Sequence, residues 1–534
     1  MSRLPYILLL IGAGAILGAT TSLPEKEAVA RAVFVRLVDA SGELGRRPPA
    51  FQLTAGKRSG AYCKDGTIVL EEAAYDVCAA MGERTETALA SILAHELIHY
   101  YADHGGAAGI GLVSTDTAAV AAAAIAQEAE ADYRGGFLAH LAGFAVTNVM
   151  PEVLEGIYTT YGLPPTLAGY PPLAQRKATA STTFRHLQEL LTVFTTGNAL
   201  TALERYGEAA TYYDYLLREF PSREVYNNTG VVYARAALPL FRPATLTYTY
   251  PIELDLRSRL PPQTRGTSVD AATRDFYLNE ALECFERARL LDPDYPPALL
   301  NLASTHALLA HSLQEQDPAG FAEIASDRLL EAGIRAREAT RLAQGQHASV
   351  TQAGGYVVQG ILAALRGDST TAATFFAEAA ESPLAETNLH QLRYGTLPSP
   401  TPPARPGFTM TEQLGELSVA AASTTAPAQG HAVVVATGAE RLTVEQLPSP
   451  VPATTLLRHR SGDRALVIFA TQADYSGTTA LEIAIGNPRS QVVMEYGSPS
   501  YTVPTVGGDL LVYAENQLVF TVRDDKVAGW FLYD

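Results

Sequence analysis

The sequence predicts a multidomain, mainly α chain. An α+β domain stands at the front, an α-helical repeat solenoid follows, and a small all-β domain closes the C-terminus. Three observations predict it. Apolar residues recur at helical spacing around residues 89–100, small and aromatic residues recur at fixed offsets beyond about residue 185, and after a proline-rich run near residue 400 the period falls to two. The 534 residues are 47% hydrophobic and 18% charged, an ordinary globular composition with room for three or more domains. The formal charge of −17 argues against a nucleic-acid partner, because phosphate binding needs a basic surface and no Lys/Arg run is present.

Residues 1–22 carry Arg3, then an apolar run through Leu8, Leu9, Leu10 and Ile16 to Gly18-Ala19, followed by small residues. That is the layout of a secretory signal peptide, so the chain is expected to be exported. The run is short for a membrane span and has no cysteine near its end; an uncleaved N-terminal anchor is the alternative. No later segment is apolar enough to span a bilayer, the alanine-rich stretch 118–126 included.

Residues 23–184 form the front domain. Ala50 to Leu53 and Thr67 to Leu70 are expected as short strands, with Gly60 and Asp65-Gly66 as turns. Cys63 and Cys78 flank a hairpin or strand–helix unit that includes the second of these strands; in an exported protein they form either a disulfide or two buried thiols. Cys284 is expected inside a later helix as a core filler. Leu89, Ile92, Leu93, Leu97 and Tyr100 define a helix that Thr85 is placed to cap, Glu86 suits at its positive end, and Gly105-Gly106 stop. Within it lies His95-Glu96-Leu97-Ile98-His99. Residues four apart share a helix face, so His95 and His99 can aim imidazole nitrogens at one metal ion, and Glu96 lies where a carboxylate can take a proton from zinc-activated water.

A chance HExxH in a chain of this length is on the order of one per cent. A third ligand on a second helix therefore matters, since an open tetrahedral zinc site takes three protein ligands. A helix that Thr115 could cap runs into Gln127-Glu128-Ala129-Glu130-Ala131-Asp132-Tyr133. Glu128 is the candidate. Glu130, two residues on, faces another side, and His104 is expected as a helix-end histidine. Asp132 shares the face of Glu128 and suits a carboxylate that orients a ligand histidine through its other ring nitrogen.

His95-Glu96-Leu97-Ile98-His99 followed by Glu128-Ala129-Glu130-Ala131-Asp132 resembles the HExxH and ExxAD pair of the HtpX, BepA and Oma-type gluzincin metallopeptidases, over roughly residues 60–180. The resemblance implies a zincin-like fold, one Zn2+ per chain on His95, His99 and Glu128, Glu96 as general base and acid, and Asp132 as the orienting carboxylate. Such enzymes receive the substrate backbone on an edge strand beside the metal helix, here assigned to Thr67 to Leu70. Family members often carry a His-Pro dipeptide and an arginine after the core; the corresponding stretch here is Tyr170-Pro171-Pro172-Leu173-Ala174-Gln175-Arg176. Tyr170 departs from that pattern. It is either a hydrogen-bond donor to the developing oxyanion or a tyrosine packed at a loop–helix junction.

From 185 to 396 the offsets are those of tetratricopeptide-like helical pairs. Gly197, Leu200, Ala209, Tyr213 and Pro221 make one unit; Tyr226, Gly230 and Tyr233, with Ala281, Phe285, Ala288 and Pro293, a second; Leu299, Leu302 and Ala303 open a third; Tyr356, Gly360, Ala372, Phe376 and Ala379 a fourth. Small residues let helices approach, aromatics fill the groove between them, and proline ends the pair. An insertion at about 239–266, with Pro239, Pro243, Pro251, Pro261 and Pro262, is expected as a solvent-exposed elaboration. Residues 397–408 read as a stiff proline-rich linker.

In 409–534 strands are expected at His431 to Thr437, Arg441 to Gln446, Ala465 to Thr471, Ala480 to Ile485, Gln491 to Tyr496, Asp509 to Ala514, Gln517 to Arg523 and Lys526 to Tyr533, with hairpin turns at Glu515-Asn516 and Asp524-Asp525 and Trp530 in the core. The function expected is an exported zinc metalloendopeptidase of the periplasm or cell envelope, cutting unfolded or misassembled proteins that the repeats bind. The rival is an envelope assembly scaffold with a latent or structural zinc site. Partners are a protein or peptide substrate and a protein on the repeats, with at most an N-terminal membrane anchor.

Overall fold

The computed structural model describes residues 22–41, 47–102, 104, 118–144, 149–166, 171–219, 223–242, 246–254, 271–317, 320, 323, 325–399, 401–403, 411–425, 432–436 and 441–534. The signal-peptide stretch, the Gly105-Gly106 stop, the Thr115 cap and Tyr170 lie outside them. Described residues up to Phe184 form one compact unit and those from Arg185 another. None of the described helices is long and apolar enough to cross a membrane.

The first unit holds a three-stranded sheet, β1 (Ala50–Thr54), β2 (Ala61–Lys64) and β3 (Thr67–Glu71), in the order β1-β3-β2. β1 runs parallel to β3, with Phe51 opposite Ile68, and β2 returns antiparallel, with Lys64 opposite Thr67. The β2–β3 turn is Asp65-Gly66, both at positive φ, as a two-residue hairpin of this twist requires. The edge-strand assignment of Thr67 to Leu70 is corrected: β3 is the central strand. Its unbroken Ile68-Val69-Leu70 is buried throughout, the pattern of a strand paired on both sides. β2, only four residues long and so too short to stand out in the sequence, is an outer strand.

Helices α1 (Leu23–Ser41), α2 (Glu72–Ala79), α3 (Thr85–Tyr101), α4 (Ala118–Leu141) and α5 (Met150–Tyr161) complete the unit. α3 is its centre. Leu89, Ile92, Leu93 and Leu97 are fully buried, and α1 and α4 pack along it. Thr85 does not cap α3; it is the first helical residue, and its hydroxyl donates to the Gly82 carbonyl at 2.6 Å. The Cys63–Cys78 disulfide is not formed. Both are free thiols: Cys78 is sealed in the apolar core that Cys63 packs against, and burial pushes its thiol up to about 12, which leaves little reactive thiolate.

The second unit begins with helices α6 (Leu173–Ala202, which enters it at Arg185), α7 (Tyr206–Glu219), α8 (Arg223–Ala237), α9 (Ala271–Leu291), α10 (Pro296–Gln316), α11 (Ser326–Gly345), α12 (Ser349–Leu365), α13 (Ser369–Glu378) and α14 (Pro383–Tyr394). From α7 to α14 each packs on its chain neighbours. The Gly230 backbone abuts the Phe285 ring between α8 and α9, and the Gly360 backbone abuts Phe376 between α12 and α13, so the small-plus-aromatic offsets mark real helix contacts. Where it is described, the insertion is a solvent-exposed elaboration only in part: Pro239, Arg242 and Thr249 are exposed, but the stretch that follows is not. Tyr250, Ile252, Glu253 and Leu254 are buried, because polar side chains of α8, α10 and α14 take up the backbone of this stretch.

The C-terminal part adds an eight-stranded antiparallel sheet, in the order β4 (Ala432–Ala436), β5 (Leu442–Leu447), β6 (Thr454–Ser461), β7 (Arg464–Thr471), β11 (Lys526–Tyr533), β10 (Leu518–Arg523), β9 (Gly508–Tyr513) and β8 (Tyr501–Thr505). Two short helices accompany it, α15 (Val419–Thr425) and α16 (Arg489–Tyr496). Expected strands at 480–485 and 491–496 are not strands. The second is α16, where Pro488 starts a helix that buries Val492 and Tyr496 four residues apart; the first is irregular, turned by Glu482 at φ 62°. β6 and β8 went unread. Trp530 is 2% exposed, edge-on to Tyr475, and Asp524-Asp525 make the β10–β11 hairpin with both φ positive. The proline-rich run is docked against this part: Thr401 and Ser498 exchange two hydrogen bonds.

Candidate metal centre

α3 and α4 supply the site. On α3, His95 and His99 stand one turn apart with their Nε2 atoms 3.0 Å from each other. On α4, Glu128 places Oε2 3.5 Å from His95 Nε2 and Oε1 3.5 Å from His99 Nε2. All three residues are buried, and one ligand atom from each falls within 4.8 Å of the others, so together they could hold a metal ion. Two imidazoles and a carboxylate are the donor set of an open zinc site.

Neighbouring groups fix each donor. Asp132 Oδ1 lies 2.8 Å from His95 Nδ1, which places a ring proton on Nδ1 and turns Nε2 toward the cluster. His104 braces the second histidine: its Nδ1 is 2.9 Å from His99 Nδ1, one ring donating to the other, and His99 Nε2 faces the cluster. Arg176, itself 5% exposed, donates from Nη2 to Glu128 Oε2 at 3.1 Å and holds the carboxylate in place. Glu130 stays outside, exposed, paired with Arg134 and 3.6 Å from His104 Nε2.

The electrostatics fit a cation. Burial disfavours a charged His95, but the Asp132 and Glu128 carboxylates outweigh it and raise the imidazole to about 10. Burial and the charge on His95 hold His99 down, to about 3. Burial alone would raise Glu128; His95, Arg176 and His99 pull it to about 2. The pocket thus keeps one positive charge between two carboxylates, a demand that a divalent ion meets more fully.

Glu96 is different. It is fully buried beside the cluster, and neither carboxylate oxygen has a hydrogen-bond partner among the described residues. Burial pushes its carboxyl up to about 8, into the range where a carboxylate exchanges protons near neutral pH. A buried carboxylate without a partner is costly.

The structure therefore brings together His95, Glu96, His99, Glu128 and Asp132. It adds His104, which the spacing had set aside, and Arg176, quoted in the sequence without a role. Gly135 went unread altogether: a Cβ there would lie 2.9 Å from the His95 backbone nitrogen, so its bareness lets α4 approach α3.

Residues 24–156 match the model of Peptidase family M48. No match was found among the curated proteins. The matched span contains His95, Glu96, His99, Glu128 and Asp132, and it makes the chain a zinc metallopeptidase, a hydrolase of peptide bonds.

Proposed function

We propose that the chain is an exported, zinc-dependent endopeptidase acting on extended or unfolded polypeptide in the cell envelope, with one Zn2+ on His95, His99 and Glu128. The observation that carries the hydrolytic reading is the buried, unpartnered Glu96 carboxylate beside that cluster. A structural metal site has no use for it.

Bound zinc supplies Lewis-acid activation of water and of the scissile carbonyl. Glu96 accepts a proton from the attacking water and returns it to the leaving amide nitrogen. Asp132 and His104 hold the two imidazoles with Nε2 toward the cluster, and Arg176 keeps the Glu128 carboxylate aligned. β2 is the strand we assign to substrate pairing. It is an outer strand of the sheet and packs along α3, and main-chain pairing there would tolerate many sequences. The helices from α6 to α14 are read as tetratricopeptide-type pairs that select protein substrates or partners, supported by the Gly230–Phe285 and Gly360–Phe376 contacts.

The test is cleavage of casein by the purified chain, wild type beside Glu96→Gln, with zinc measured in both. Expected is a loss of cleavage of about 10²–10⁴-fold in the variant with zinc retained. Zinc bound by both and cleavage by neither would leave the scaffold reading standing instead.

A further inference from the structure

Residues 246–254 form neither helix nor regular strand, yet Tyr250, Ile252, Glu253 and Leu254 are buried inside the second unit. Buried peptide groups need partners. Here side chains supply them. Asn388 Oδ1 accepts from Thr249 N at 2.8 Å while its Nδ2 donates to Thr249 O at 2.9 Å. Asn301 repeats the arrangement on Glu253, 2.8 Å from its N–H and 2.9 Å from its carbonyl, which Asn227 Nδ2 also reaches at 3.1 Å. Ser304 donates to the Pro251 carbonyl at 2.9 Å.

An amide that meets both the N–H and the C=O of one residue reads backbone without regard to side chain. Asn227, Asn301 and Asn388 are each 0% exposed within helices, where asparagine is a poor helix former and its amide is costly to bury unless paired. Asn301 Nδ2 also donates to Asn227 Oδ1 at 2.9 Å and so ties α10 to α8, while the remaining amide groups of the three serve the segment. They come from α8, α10 and α14, and Thr351 of α12 donates to the Glu253 carboxylate at 2.7 Å; α9, α11 and α13 contribute none of these bonds. Every second helix thus turns one face to the segment. At its far end Leu254 bridges Thr505 of β8, with Leu254 N 3.0 Å from Pro504 O and Val506 N 3.0 Å from Leu254 O.

We propose that this face is a binding groove for extended polypeptide, that Thr249–Leu254 is its resident ligand, and that an incoming polypeptide must displace that segment to bind. The proposal rests on the binding role assigned to the helical unit and adds the chemistry of recognition and a built-in competitor. A tethered ligand competes at an effective concentration in the millimolar range, so an untethered peptide meets a groove that is mostly taken.

The probe is a fluorescently labelled peptide of residues 246–254, followed by anisotropy on the full chain. Wild type should bind it weakly. Tyr250→Ala with Ile252→Ala, which loosens the resident segment and leaves the asparagines intact, should bind it at least tenfold more tightly, and the same peptide N-methylated at the positions of Thr249 and Glu253 should not bind. In parallel, hydrogen exchange on wild type should show the amides of 249–254 exposed by millimolar peptide. A folded double variant that binds no more tightly than wild type overturns the proposal. Should that variant not fold, exchange at 249–254 unchanged by the peptide overturns it. Glu96→Gln should bind the peptide as wild type does, so a failure of proteolysis and a failure of groove binding are read separately.

Discussion

At the scale of single residues the site depends on a glycine as much as on its ligands. A Cβ at Gly135 would lie 2.9 Å from His95 N and 3.1 Å from Ala94 C, both backbone atoms that cannot swing aside. Gly135→Ala must therefore push α4 away from α3, and α4 carries Glu128 and Asp132. Disturbing a group that orients a metal ligand costs about 10–100-fold in affinity, and this variant should lose zinc affinity by that order in competition with a chelator. Unchanged affinity in a folded protein would sink the account. His95, Glu96 and His99 were legible because a four-residue period on one helix is a local signal, and Glu128 with Asp132 is a second such signal. Gly135 was not, since a helical glycine announces no partner. Nor were the roles of Arg176, which meets a carboxylate 48 residues away, and of His104, whose use depends on the geometry of the helix end.

Elements were legible where a short window of sequence decides them. β3, α3 and the helices carrying Gly360 and Phe376 follow from burial patterns written within a few residues. β6 was missed because Arg458, His459 and Arg460 interrupt its alternation, and the reason is tertiary: Arg458 pairs with Glu445 across the sheet and His459 is buried against α7. α16 was misread because Val492, Val493 and Tyr496 are strand formers; position after Pro488 outweighed propensity. The helical pairs permit a sharper test. A methyl at Gly360 would sit 2.5 Å from the Phe376 ring, and overpacking of this kind costs about 1–3 kcal/mol. Gly360→Ala should lower the urea midpoint of the second unit accordingly while zinc content stays at the wild-type value. A loss of zinc in that variant would mean that the effect is not local to the helical pair.

At the scale of the molecule, the helices and the sheet that composition separates by a proline-rich linker belong to one compact unit from Arg185 onward. Contacts across some 250 residues make it so, and no window of sequence can display them. One is a buried clasp. His459 on β6 sets Nε2 2.5 Å from Glu208 Oε2 and Nδ1 2.5 Å from the Tyr212 hydroxyl, which also lies 3.0 Å from the Thr443 carbonyl; Arg205 donates to the same carboxylate at 2.6 Å. Burial would raise the Glu208 carboxyl, but His459 and Arg205 outweigh it and hold it at about 2. A carboxylate depressed in the folded state stabilises it above the unfolded value of about 4.3, and the contribution fades as pH falls toward 2. Glu208→Gln keeps the shape and removes the charge. The variant should therefore be less stable than wild type at pH 7, and the difference between the two should shrink steadily between about pH 4.5 and pH 2. Denaturant midpoints of both proteins across that range measure it. A difference that stays constant from pH 7 to pH 2 would show that the Glu208 charge does not hold the α7 helix to the sheet.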